Sequence, residues 1–197
     1  SFVFPGVLML SIINASFGSA SSALYFMRFT RGIEEILITP FSYVEMLIGF
    51  VGSAVARAVM VACLILLVGL AFGAVTLVSP LGFLLYISAI AAIFAMLGIV
   101  VALWAESFEQ LQVLNTFVIT PLTYLGGIFY SITMLPPLAA TITRYNPFFY
   151  FADGVRGSMT GYHEANTTVG FFVIGGLVVG LGIIVTTLFR RGWKIRS

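Results

Sequence analysis

Nine cationic and seven acidic side chains, one histidine and one cysteine carry nearly all the acid–base chemistry open to this 197-residue sequence. The single lysine, Lys194, stands in the tail, so a glycine-rich phosphate loop ending in Gly-Lys-Ser/Thr cannot be built from these residues. His163-Glu164 has no second histidine four residues on, which excludes a zinc-protease helix. One histidine also excludes a histidine-based metal cluster or an embedded Ser–His dyad, and no metal site is expected. Cys63 lies alone in an apolar run and reads as a small packing residue, with no disulfide framework around it. Glu45, Glu106, Glu109, Asp153 and Glu164 fall near the ends of apolar runs or between them, which does not suit a proton relay. Two charged clusters and one isolated charge remain. Arg28, Arg31, Glu34 and Glu35 stand between Phe26 and Pro40. Arg144, Asp153, Arg156, His163 and Glu164 are interleaved with Tyr145, Phe148, Phe149, Tyr150, Phe151 and Tyr162. Arg57 stands by itself, deep in an apolar run.

The rest of the sequence is the matrix that must position these groups. It is 60% hydrophobic and only 8% charged, with a mean hydropathy of +1.13, against roughly a quarter charged residues in soluble domains. The apolar runs are continuous rather than alternating, so the expectation is an all-α polytopic membrane bundle and not a β-barrel. We expect one unit over 1–197 with five spans, at about 1–25, 46–72, 81–104, 110–130 and 168–189. Ser79-Pro80-Leu81-Gly82 divides the uncharged stretch 58–105 into two spans. Pro121 and Gly126-Gly127 are expected to kink or loosen the fourth span, and Pro136-Pro137 to end the segment. Gly176-x-x-x-Gly180 offers a helix-packing face in the fifth span. No signal peptide is expected at the start, where the sequence runs directly into apolar residues.

Between the first two spans, Ile33, Ile36 and Leu37 recur at helical spacing opposite Glu34 and Glu35, ahead of Pro40. The pattern describes a short amphipathic interfacial helix, either a solvated connector or a docking site for a soluble partner. Arg57 at span depth calls for an unusual neighbour, because a buried arginine costs about 2.5–3.5 kcal/mol even on insertion scales. A functional site and packing against polar groups of another helix both answer that need. The segment 138–164 is too polar to span and reads as interfacial or re-entrant helices at the outer surface. The basic tail Arg190 to Arg196 marks the cytoplasmic side. Counting back puts Arg28–Pro40 and Glu106–Glu109 inside as well. Six basic residues then lie inside, against Arg144 and Arg156 outside.

The run Arg31-Gly-Ile-Glu-Glu-Ile-Leu-Ile-Thr-Pro40, the Gly52–Arg57 stretch and Thr120-Pro-Leu-Thr-Tyr-Leu-Gly-Gly-Ile-Phe-Tyr-Ser-Ile-Thr-Met-Leu-Pro-Pro137 carry a resemblance. Tyr145-Asn-Pro-Phe-Phe-Tyr150 and Asp153-Gly-Val-Arg156 extend it. Together they resemble the ABC-2 type (type-2 ABC exporter) permeases, in the branch of drug and polysaccharide exporters, with a closer likeness to an enterobacterial inner-membrane transport permease. The resemblance implies six spans per subunit, so that five here would make the sequence an N-terminally truncated one. It implies a homodimer of permeases in the inner membrane, C-terminus cytoplasmic, with two separate ATP-binding subunits that hold ATP and Mg. The chain itself would have no cofactor and no enzyme activity, and would touch membrane lipid but no nucleic acid. Arg28, Arg31, Gly32, Glu34, Glu35 and Pro40 would form the coupling helix that docks on the ATPase. Arg57, Pro121, Tyr124, Gly126 and Gly127 are candidates for the translocation path. Tyr145, Asn146, Pro147, Asp153 and Arg156 are candidates for the outer gate. The alternative is a non-transporting membrane scaffold whose charged segment docks some other soluble protein.

Overall fold

The computed structural model describes residues 3–30, 42–73 and 75–191. Among them the secondary structure is entirely helical, and four helices are long and apolar enough to cross a membrane. These are α1 (Val3–Phe29), α2 (Tyr43–Ala71), α3 (Pro80–Trp104) and α8 (Thr167–Arg190). Between α3 and α8 come α4 (Phe108–Leu114), a π-helical turn at Asn115–Ile119 and α5 (Thr120–Tyr124). A 3-10 turn at Ile132–Met134, α6 (Pro137–Tyr145) and α7 (Pro147–Thr160) follow.

Short polar side chains set the helix starts. Ser42 and Glu45 form a reciprocal capping box at α2, which begins that helix three residues before the expected span. Ser79 caps α3 with Pro80 at its first turn, so Ser79-Pro80 is a helix start. The preceding helix ends earlier, at Phe72-Gly73, where Gly73 adopts φ +63°.

α3 is the central helix and packs against α1, α2, α7 and α8. Ile87, Ile90, Ala91, Phe94, Ala95, Ile99 and Ala102 along it are fully buried. Between helices in lipid, van der Waals fit replaces the hydrophobic drive, so small residues decide where backbones meet. Gly98 does this against α1: a methyl there would stand 2.7 Å from the Phe17 carbonyl oxygen. Gly176 and Gly180, expected as a packing face, have nothing within 4 Å among the described residues; α8 turns that side away from them.

The packing sorts the helix ends into two sets. Leu24 of α1, Leu47 of α2, Leu103 of α3, Leu111 of α4 and Phe189 of α8 share one apolar cluster. Leu8 of α1, Leu66 of α2, Phe83 of α3, Met159 of α7 and Ile174 of α8 share another. Arg28, Arg190 and Arg191 lie at the first end, as the basic-residue count anticipates.

The segment expected as a fourth span connects these two ends without being a continuous helix. Phe108 rests against Tyr25 and Phe26, with ring centroids 6.0 and 5.9 Å apart. Beyond α5, Ile128 lies against Gly6 at the other end of α1. At 1.5 Å per residue, Phe108 to Tyr124 covers about 25 Å, just short of a hydrocarbon core of about 30 Å. The interruption has a local cause. Pro121 has no N–H for the Phe117 carbonyl, and its ring would crowd that carbonyl in a regular helix. The backbone widens instead: Thr120 donates from its N–H to Asn115 five residues back, and its hydroxyl donates to the same oxygen at 2.9 Å.

Candidate functional site

At the end that gathers the basic residues, Arg28 reaches across to the C-terminus of α3. Its Nη1 donates to the carbonyls of Ala102, Leu103 and Ala105, the latter two at 3.2 and 3.4 Å. Those are the carbonyls a helix end leaves without partners, and the cation also meets the negative end of the helix dipole. Arg28 therefore joins α1 to α3. Arg31, Gly32, Glu34, Glu35 and Pro40 lie outside the described residues.

At the opposite end, α6 and α7 form a helical hairpin whose vertex is Tyr145-Asn146-Pro147. Asn146 caps α7, accepting from Phe148 N at 3.0 Å, and its amide donates to the Leu122 carbonyl of α5 at 3.1 Å. Pro147 occupies the first turn of α7, where its missing N–H costs nothing. Tyr145 is 86% exposed. α7 runs antiparallel to the first half of α3. Phe148 and Phe151 pack on Phe94, with centroids 5.4 and 6.0 Å away, while Ser158 accepts from Ser79 N at 2.9 Å. Phe94 lies about 21 Å along α3 from Pro80. The hairpin vertex is thus level with the middle of α3, and the α7 C-terminus is level with the helix ends.

A buried ionic cluster closes the far end of this hairpin. Asp153 and Arg156, one helical turn apart on α7, are 3% and 2% exposed. Arg156 Nη2 donates to the Gly127 carbonyl at 2.9 Å, and its Nη1 stands 3.5 Å from Glu164 Oε2. The same carboxylate oxygen accepts from Ile132 N at 3.2 Å. Asp153 Oδ1 accepts from the backbone N–H of Glu164 and Ala165, and Oδ2 lies 3.1 Å from His163 Nδ1. Burial pushes the Arg156 guanidinium below its ordinary value, opposed by Glu164, Asp153 and Tyr162; arginine remains charged. The cluster fastens three separate stretches: the Gly127 turn, α7 and the loop before α8. Gly127 sits at φ +84°, a left-handed conformation that aims its carbonyl at Arg156.

The path and gate candidates fall into two groups. Gly126 and Gly127 meet α7 at Phe148 and Arg156, and Leu122, next to Pro121, meets Asn146 at the same junction. Leu122, Leu125, Tyr130, Leu135, Tyr145 and Pro147 line a groove of about 560 Å³ beside it. Tyr124 is 41% exposed and stacks on Phe129 with centroids 5.5 Å apart. Arg57 is far from this junction in sequence and element, exposed at the middle of α2. Glu164 and His163 belong to the charged cluster read from the sequence but are not among its gate candidates. The available signal was the pairing of two carboxylates with Arg156 in a segment between apolar runs. His163 keeps 32% of its side chain exposed. Among the described residues no group of three His, Cys, Asp or Glu side chains converges on a metal geometry.

The sequence model described as ABC-2 type transporter matches residues 1–160. Inner membrane transport permease YadH of Escherichia coli strain K12 is 33% identical over 196 residues, covering 100% of this chain and 77% of that protein. Nodulation protein J of Rhizobium leguminosarum bv. viciae is 27% identical over 192 residues, 97% of this chain and 74% of that protein. Its namesake in Neorhizobium galegae is 28% identical over 199 residues, with coverages of 97% and 73%.

Proposed function

The chain belongs to the ABC-2 type transporter family, and from that premise we propose that it is the membrane-spanning permease subunit of an ATP-driven exporter for an amphipathic substrate. The observation that carries this reading is the family match over residues 1–160, which covers α1 to α7, the α6–α7 hairpin included, and among the described helices leaves out only α8. Four long apolar helices, with a fifth crossing made by the interrupted stretch 108–128, supply the barrier. The inner-membrane name of the E. coli relative supports the same location here.

ATP and Mg belong, in this reading, to a separate ATP-binding subunit, and two permease copies complete the transporter. The segment holding Arg31, Gly32, Glu34, Glu35 and Pro40 docks that subunit. Force applied there reaches α3 through Arg28, whose guanidinium already bridges α1 to the α3 carbonyls. At the outer face the α6–α7 hairpin is re-entrant. Its ionic cluster holds the Gly127 turn, so that α5 and the hairpin move as one gate element. The basic ends of α1 and α8 are cytoplasmic.

Co-expression with an ATP-binding cassette ATPase encoded beside the gene tests the reading. A stable permease–ATPase complex with ATP hydrolysis that depends on the permease is expected. A permease that purifies without any ATPase, and leaves hydrolysis unchanged when added, would overturn it in favour of a scaffold.

A further inference from the structure

Arg57 is the middle residue of the 29-residue helix α2, about 21 Å from either end. It is exposed, and among the described residues it forms no hydrogen bond or ion pair. A free cation facing hydrocarbon at that depth is strongly disfavoured, so its face of α2 must meet something polar. The buried residues of α2, Ala54, Ala58, Ala62, Leu66 and Gly69, form a separate row turned toward the bundle, and Arg57 stands on the exposed flank beside it.

The exposed face is built as a track. Glu45, Gly49, Ser53 and Arg57 recur every four residues, which places them in one row. At its inner end the row borders a groove of about 450 Å³ lined by Ala23, Met27, Met46 and Phe50. Among the described residues, no atom beyond the helix's own neighbouring backbone stands within 4 Å of where a side chain on Gly49 or Gly52 would begin. Glu45 at the mouth is already engaged, accepting from Ser42 N at 2.7 Å. The row thus offers an apolar wall below and one unneutralised cation above.

Among the described residues, a second copy of the chain closing on this face would bring no counter-charge. The sequence holds seven carboxylates. Asp153 and Glu164 belong to the outer cluster. Glu45, Glu106 and Glu109 lie at the helix ends of the basic side, and Glu34 and Glu35 fall between α1 and α2 in the sequence. None of the five described ones sits at the depth of Arg57, and a two-fold contact there would set arginine against arginine. Resting on the permease reading, we propose that Arg57 recognises an anionic head group on the transported amphiphile, whose apolar part lies along Met27, Met46 and Phe50.

The test uses the full-length permease with its ATPase, reconstituted in phosphatidylcholine vesicles. The probes are fluorescent lysophosphatidylglycerol and lysophosphatidylcholine with the same acyl chain. For the wild type, half-maximal stimulation of ATP hydrolysis is expected at a concentration at least about tenfold lower for the anionic probe, and ATP should move that probe between leaflets. Arg57→Gln and Ser53→Glu, which places a carboxylate one turn away, should each abolish the preference; Arg57→Lys should keep most of it. A wild type without preference, or an Arg57→Gln complex with the wild-type preference, overturns the proposal. So does an anionic probe that binds through Arg57 but does not change leaflet with ATP, which marks a resident bilayer lipid. If Arg57→Gln fails to assemble, Ser53→Glu decides between the same two results. Failure of the wild-type complex to couple any hydrolysis would instead strike the permease reading itself.

Discussion

Glu164 neutralises an arginine that has almost no access to water, and that places it among the residues whose loss the fold should feel most. Glu164→Ala removes the carboxylate 3.5 Å from the buried Arg156 guanidinium, while the bond to the Gly127 carbonyl remains. Removing one partner of a buried pair costs about 3–5 kcal/mol, so the thermal midpoint of the purified protein in detergent should fall markedly; an unchanged midpoint would show that the pair is not closed. At this scale the sequence shows residue types but not their partners. Arg28 reads as part of a charged docking segment, yet its structural partners are carbonyls 74 and 75 positions away, and no local pattern encodes them. Asp153 and Arg156 were legible because they share a turn of helix within an aromatic segment. Glu164 was not, since it reaches Arg156 only after the chain leaves α7 and folds back.

The elements were more legible than their joints. Apolar runs and the capping residues at their edges place α1, α2, α3 and α8 within a few residues of expectation. Pro121 points to an interruption in the 110–130 span, but the π-helical turn lies on its N-terminal side, a consequence of backbone crowding that hydropathy does not register. Likewise Gly176 and Gly180 match a glycine packing pattern, while the close helix contact is made at Gly98, which has an alanine, Ala102, four residues on. Gly98→Ala should force α1 and α3 apart near Phe17. An overpacked core costs typically about 1–3 kcal/mol, and thermal unfolding should show the loss, whereas Gly176→Ala in the isolated subunit should leave the midpoint unchanged.

For the whole molecule, the balance of arginines between loops agrees with how the packing groups the helix ends. The agreement has a physical origin, since the same short segments that must stay out of hydrocarbon are those that join neighbouring helices. A cysteine at Tyr162 should therefore react with a membrane-impermeant maleimide added outside intact cells, and one at Arg190 only after the inner face is opened. The reverse pattern would invert the topology.

In the proposed mechanism, ATP hydrolysis on a partner drives this bundle through the segment between α1 and α2. Charge reversal at Glu34 and Glu35 in the full-length permease, followed by co-purification with the ATPase and assay of permease-dependent hydrolysis, tests it most directly. Loss of the complex, or of the hydrolysis it stimulates, is the predicted result. A complex that forms and hydrolyses ATP as the unmodified one does would contradict the account, because the drive would then have to enter elsewhere.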